Sequence, residues 1–233
     1  LMVTFNGNGT FTLTAADLDD GTKGSSTSPA ISVSGAQFTA ATGGTSISAH
    51  GAVTSAFTTL NGPTYSENNA GEVGTGNIIV DAPAGFIFDT GGTAPNVLIT
   101  RLSGSGGSGN NINDVASGTA VAMTSVTSTQ LVFTVTASSA SGVTCRLTWQ
   151  NVRVRPTAGT PLASGYLRRS GTASVVGLST NANLGTLREV AGAASSLAIL
   201  TQPSTTATAG VPFAQQPVLQ VRDQFGNLRS TAN

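Results

Sequence analysis

The stretch GVTCRLTWQNVRVRP, Gly142 to Pro156, alternates with a period of two. Val143, Cys145, Leu147 and Trp149 fall on one face, and Thr144, Arg146, Thr148 and Gln150 on the other. A helix would bring apolar residues back every three or four positions, so this pattern predicts a strand with one face in a core and one in water. It also sorts two chemistry-bearing side chains. Cys145 reads as an inert core thiol, and Trp149 as a core ring in preference to a sugar-stacking platform.

The same grammar extends in both directions. GNIIVDAPAGFIFDTGG (76–92) reads as a strand, a Pro/Gly corner and a short second strand, and NVLITRL (96–102) as another strand. AVAMTSV (120–126) and TQLVFTVTA (129–137) read as a hairpin pair around a Thr-Ser-Thr turn. SGSGGSGNN (103–111) is rich enough in glycine to predict a mobile loop; it lacks the lysine and following helix of a phosphate-binding loop. Toward the N-terminus, TFTLTAADL (10–18) sets Phe11 and Leu13 against Thr10, Thr12 and Thr14, and PAISVSG (29–35) offers Ile31 and Val33. No stretch carries a helical stripe. Many short strands at regular spacing with turn residues between them predict an all-β sandwich.

Composition narrows the setting. The chain has 233 residues, of which 9% are charged, against roughly 25% in an ordinary soluble domain. Its 10 basic and 10 acidic residues balance, which gives no broad electrostatic footprint for nucleic acid or an anionic membrane. Lys23 is the only lysine. A mean hydropathy of +0.14 with so little charge suits a chain whose faces are covered by neighbours. Abundant Val, Ile and Thr in alternation argue against disorder. No apolar run approaches the roughly 18–20 residues that cross a bilayer, so no membrane span is expected. LMVTFNGNGT lacks the basic start and apolar core of a secretory signal, which implies a removed signal or a natural start upstream. With one cysteine there is no intrachain disulfide, and the redox compartment stays open.

Strand grammar restarts near Gly35 and again near Ala191 to Ala194, giving three parts: 1–35, 36–192 and 193–233. The middle part is long enough for a complete sandwich. Each outer part supplies a strand pair, and a two-stranded ribbon is marginal in water, so each needs strands from elsewhere. LAILTQPSTTATAGVPFAQQPVLQVRDQFGNL (197–228), with its VLQVRDQFGN ending, resembles the opening strands of bacterial immunoglobulin-like repeats of the invasin and intimin type. GTFTLTAADLDDGTKGSSTSPAISVSG (9–35) is similar to the closing strands of the same repeats. The central region, with YSENNAGEVGTGNIIVDAPAGFIF (65–88) as its most distinctive part, resembles surface-layer and adhesin sandwiches in general grammar only. The resemblance implies immunoglobulin-like sandwiches whose incomplete terminal pieces are completed by neighbouring subunits or by the rest of a longer chain. It also implies a prokaryotic cell-surface or extracellular setting, with copies of the chain or adjoining repeats as partners.

Candidate chemistry is sparse. His50 is the only histidine, and no GxSxG elbow surrounds a serine, so nucleophilic catalysis has no constellation. Glu67, Glu72 and Asp89 are the carboxylates that would have to pair for glycoside hydrolysis; surface or turn roles are the expectation. Asp17, Asp19 and Asp20 in DLDDGTK form the candidate calcium loop, although the alternating spacing and distal glutamate of an EF-hand are missing. Asn110, Asn111, Asn113 and Asp114 form a weaker set, and NGT at 8–10 fits a glycosylation acceptor. No cofactor is expected, with calcium the one candidate ion. The expected function is a non-enzymatic structural subunit or segment of an extracellular filament or surface array, joined head to tail by strand pairing or tandem linkage. The interface residues would be Phe11, Leu13, Ile31 and Val33 at the head and Leu197, Ile199, Val218, Leu219 and Val221 at the tail. The alternative is an adhesin or glycan-binding module.

Overall fold

A computed structural model describes residues 9–15, 24–33 and 38–230 (for 9–11, 32 and 33, the backbone alone). Strands account for 42% and helices for 5%, so sheet pairing supplies most of the regular backbone hydrogen bonding and the fold is all-β. Two main sheets form a sandwich. The first runs, in spatial order, Thr119–Ala122, Asn96–Ser103, Thr144–Gln150, Thr64–Ser66 and Phe38–Thr39, with every pair antiparallel. The second runs Ser125–Val126, Gln130–Val135, Gly76–Asp81, Ser164–Ser170, Asn183–Val190 and Ile47–Ser48, and its last pair is parallel. A small third sheet of Phe86–Phe88, Arg153–Pro156 and Thr58–Thr59 adds Phe86, Phe88 and Val154 to the core.

The alternation in 143–149 becomes the centre of this core. Val143, Cys145, Leu147 and Trp149 are all buried, and from the facing sheet come Ile78, Val80, Leu131, Phe133 and Val135. Phe133 meets Trp149 edge to face across the sandwich, with ring centroids 6.4 Å apart and an interplanar angle of 72°. Such a pair adds about 0.5–1.5 kcal/mol beyond its buried area. The buried apolar residues of this core lie between Ala41 and Leu187.

One pairing differs from the sequence reading. The hairpin around the Thr-Ser-Thr turn forms, but the run 120–126 is not one of its arms along its whole length. Its first half, Thr119–Ala122, pairs with Asn96–Ser103 in the first sheet, and only Ser125–Val126 pairs with Gln130–Val135 in the second. The chain changes sheet at Met123–Thr124, where Thr124 N–H still reaches the Val132 carbonyl. A strand that switches sheets closes the corner of a sandwich, and here the inward positions slip from Val121 and Met123 to Val126, a break in the alternation that marks the switch without naming the new partner.

Outside the sandwich are two ribbons. Near the N-terminus Gly9–Phe11 pairs with Ile31–Val33 and Thr14–Ala15 with Ser26–Thr27, both antiparallel. Between them Leu13 exchanges bonds with Ser28: its N–H donates to Ser28 Oγ, and its carbonyl accepts from Ser28 N–H. Near the C-terminus Ser196–Thr201 and Val218–Arg222 form a hairpin with an irregularity between Ile199 and Thr201.

Candidate assembly surface and its joint

The C-terminal hairpin pairs Leu197 with Val221 and Ile199 with Leu219, and residues paired across two strands share a face. That face is open. Leu197 is 68% exposed, Ile199 51% and Leu219 56%, with Val221 half-buried; Val218, 46% exposed, precedes Leu219 and points to the opposite face. Among the described residues no third strand joins this sheet. Of the head residues, Leu13 is exposed and Ile31 half-buried, while Phe11 and Val33 are placed in strands by their backbone. Head and tail are not brought together in one sheet among the described residues. Asp17, Asp19 and Asp20 lie outside the described residues.

What holds the hairpin on the sandwich is a turn whose role sequence reading missed. Asp223 follows the last hairpin strand and is 2% exposed. Its Oδ1 accepts from the Phe225 and Asn227 backbone N–H groups, and its Oδ2 accepts from Asn227 Nδ2 and from Gly192 N–H in the connection to the sandwich. Burial alone would raise this carboxyl; the bonds from Asn227, Gly192 and Phe225 outweigh it and hold the group below the usual aspartate range. Asn227 Nδ2 also donates to the Gly159 carbonyl at 2.7 Å, and Gln224 Nε2 lies 3.0 Å from His50 Nδ1. His50 is exposed and precedes the one-turn helix Gly51–Thr54. The sequence signal was present as VRDQFGN, but nothing in it showed what the aspartate grips.

Beside this joint a cleft of about 540 Å³ opens between the sandwich (Ser46, Arg188 and Glu189) and the segment after the turn (Leu228 and Arg229). Among the described residues no hydrogen bond or ion pair engages the Arg188 or Arg229 guanidinium. Glu189 is buried: Oε2 accepts from Ala163 N–H, whereas Oε1 has no partner. Burial, with a smaller contribution from Asp223, raises the Glu189 carboxyl.

Of the three candidate acids, the structure brings Glu67 and Glu72 close enough to repel one another, and each accepts structural hydrogen bonds. Glu67 stands where the strand Thr64–Ser66 ends, and its side chain continues the ladder. Its N–H donates to the Cys145 carbonyl, while Oε2 accepts from Cys145 N–H at 2.9 Å and Oε1 from Val73 N–H at 3.1 Å. Burial, only partly offset by Ser139 and the two backbone donors, raises its carboxyl. Glu72 accepts from Asn68 N–H and Asn69 Nδ2 in the same loop. Asp89 sits apart, 2.6 Å from Arg153, and caps the Gly91 and Gly92 N–H groups. Cys145 is fully buried and burial pushes its thiol up, away from the reactive thiolate.

The two loop sets also have structural partners. Arg101 donates to the carbonyls of Gly106 and Gly107 and to Asn111 Oδ1, which ties the glycine-rich loop to the strand before it. Asn111 Nδ2 donates to the Val115 carbonyl, and Asn113 bonds Thr134 and Thr136. Among the described residues no three His, Cys, Asp or Glu side chains gather into a metal-binding group, and no helix is long and apolar enough to cross a membrane. Comparison with family models, curated proteins and solved structures finds no match for this chain.

Proposed function

We propose that the chain is a structural subunit or segment of an extracellular filament or cell-surface array, with a central sandwich over 36–192 flanked by strand pairs that are completed by other strands. The observation that carries this reading is the open apolar face of the C-terminal hairpin, Leu197, Ile199 and Leu219. A two-stranded ribbon with such a face gains most by adding strands, which satisfies its free backbone edges and covers its side chains together. The added strands come from an adjoining immunoglobulin-like repeat of the same polypeptide or from the head of a neighbouring copy. Contact between unlike surfaces propagates end to end instead of closing a ring. The work is mechanical: to span distance through hydrogen-bonded sheets, with no chemical step. Replacing Phe11 and Leu13 by Asp tests the neighbouring-copy arm. Loss of end-to-end assembly with retained Trp149 core fluorescence supports it, and intact filaments from that variant, seen by electron microscopy, contradict it.

A second reading, a glycan-binding surface module, is favoured by the cleft beside the joint. Two guanidinium groups, Arg188 and Arg229, that find no partner among the described residues suit a sugar carrying an acidic group. An array of neutral and acidic glycans separates the readings: selective retention of acidic sugars, lost in Arg188→Ala, supports this one, and no retention removes it.

A further inference from the structure

We propose that the Asp223–Asn227 turn and the surface beneath it form a rigid joint, so that the C-terminal hairpin moves with the sandwich as one body. Composition would suggest the opposite. The connection AGAAS (191–195) consists of small residues of the kind that make flexible linkers. Yet Gly192, in its middle, is buried and gives its N–H to Asp223 Oδ2 at 2.8 Å, and Ser195 N–H donates to the Arg222 carbonyl. The turn is therefore bonded back onto the linker that leads to it.

Two further attachments lie on separate stretches of the sandwich. Asn227 Nδ2 reaches the Gly159 carbonyl, and Gln224 meets His50. A single attachment leaves a pivot; attachments to three stretches of chain remove the rotations that one leaves open. The fit at Gly159 adds a steric restraint. A Cβ built there would lie 2.3 Å from the Phe225 ring, so the ring occupies the space a side chain would need. Gly159 does not have the left-handed φ that calls for glycine, so its missing side chain is explained by Phe225 and not by its own backbone. The sandwich thus presents a receiving surface, Gly159, His50 and Gly192, shaped to an Asp-x-Phe-Gly-Asn turn. This inference concerns the joint alone and does not depend on assembly.

The test is backbone amide relaxation on the whole chain, comparing residues 196–201 and 218–222 with strands of the sandwich. In the native chain the hairpin amides should match the sandwich at order parameters of about 0.85, and in Gly159→Ala or Asp223→Ala they should fall below about 0.6. Trp149 fluorescence in the same samples shows that the sandwich stays folded. Gly159→Ala acts from the sandwich side and Asp223→Ala from the hairpin side, so a misfolded hairpin in one variant does not decide the result. Independent hairpin motion in the native chain, or hairpin values unchanged in both variants, overturns the proposal. A rigid joint in a chain that never assembles would leave this inference standing and remove the neighbouring-copy arm of the proposed function.

Discussion

Replacing Glu67 by Ala tests how a carboxylate sustains the edge of this sandwich. Two backbone donors, Cys145 N–H at 2.9 Å and Val73 N–H at 3.1 Å, lose their acceptor in the variant. A buried donor left unpaired costs about 1–3 kcal/mol, so the two together cost about 2–6 kcal/mol. Part of that loss is recovered, because burying the ionised carboxylate already works against the native fold, as its raised pKa shows. The expected net loss at neutral pH is about 2–4 kcal/mol, a large share of the stability of an ordinary domain. Urea unfolding followed by Trp149, the only tryptophan, measures it directly, since that ring lies in the core against Phe133. The pH dependence has a definite sign. With the folded pKa raised, the native state binds more protons than the unfolded chain between the ordinary glutamate value and the folded one. Glu67 therefore lowers stability as pH rises through that window. In Glu67→Gln that component disappears, and the amide NH₂ opposes one backbone donor, so a smaller loss remains. A Glu67→Ala variant as stable as the native chain, or a native-minus-Gln difference that does not change across mildly acidic pH, would refute this account of the loop.

Other outcomes follow from the same structure. Trp149→Ala removes the ring that Phe133 packs against and should cost about 3–5 kcal/mol in chemical denaturation. Asp223 has a depressed pKa, so its contribution to docking is present above the ordinary aspartate value near 3.9 and is lost as pH falls through its lower folded value. Hydrogen exchange in the hairpin should accelerate only there, and loosening already at pH 5–6 would contradict the bonding described. Arg101→Met should raise exchange in the 103–110 loop and lower stability by about 1–3 kcal/mol in urea unfolding followed by Trp149, because two loop carbonyls and the buried Asn111 Oδ1 lose their donor.

The sequence made the central strands readable because one physical rule, alternation about a half-buried face, governs Val143 to Trp149 and continues in 76–81 and 130–135. Pairing partners were not readable, as the split of 119–126 between two sheets shows. Alternation records which face is buried and leaves open the neighbour it is buried against. The polar contacts were hidden for a different reason. Glu67 reaches Cys145 across 78 residues, Asp223 reaches Gly192 across 31, and Asn227 reaches Gly159 across 68, so no local window contains both partners. Glycine at 159 carried no signal at all, since its reason is the Phe225 ring. The arginine that ties down the glycine-rich loop was equally silent. Glycine content raises the entropy of a free loop, and only the fold shows that Arg101 is placed to hold it.

In the proposed assembly, strands from a further repeat or a second copy cover the hairpin face formed by Leu197, Ile199 and Leu219. Electron microscopy of the native material carrying this chain tests it most directly. A fibre, stalk or array whose axial repeat matches the length of the sandwich is the result predicted here. Isolated, non-repeating particles with that face left in water would contradict it.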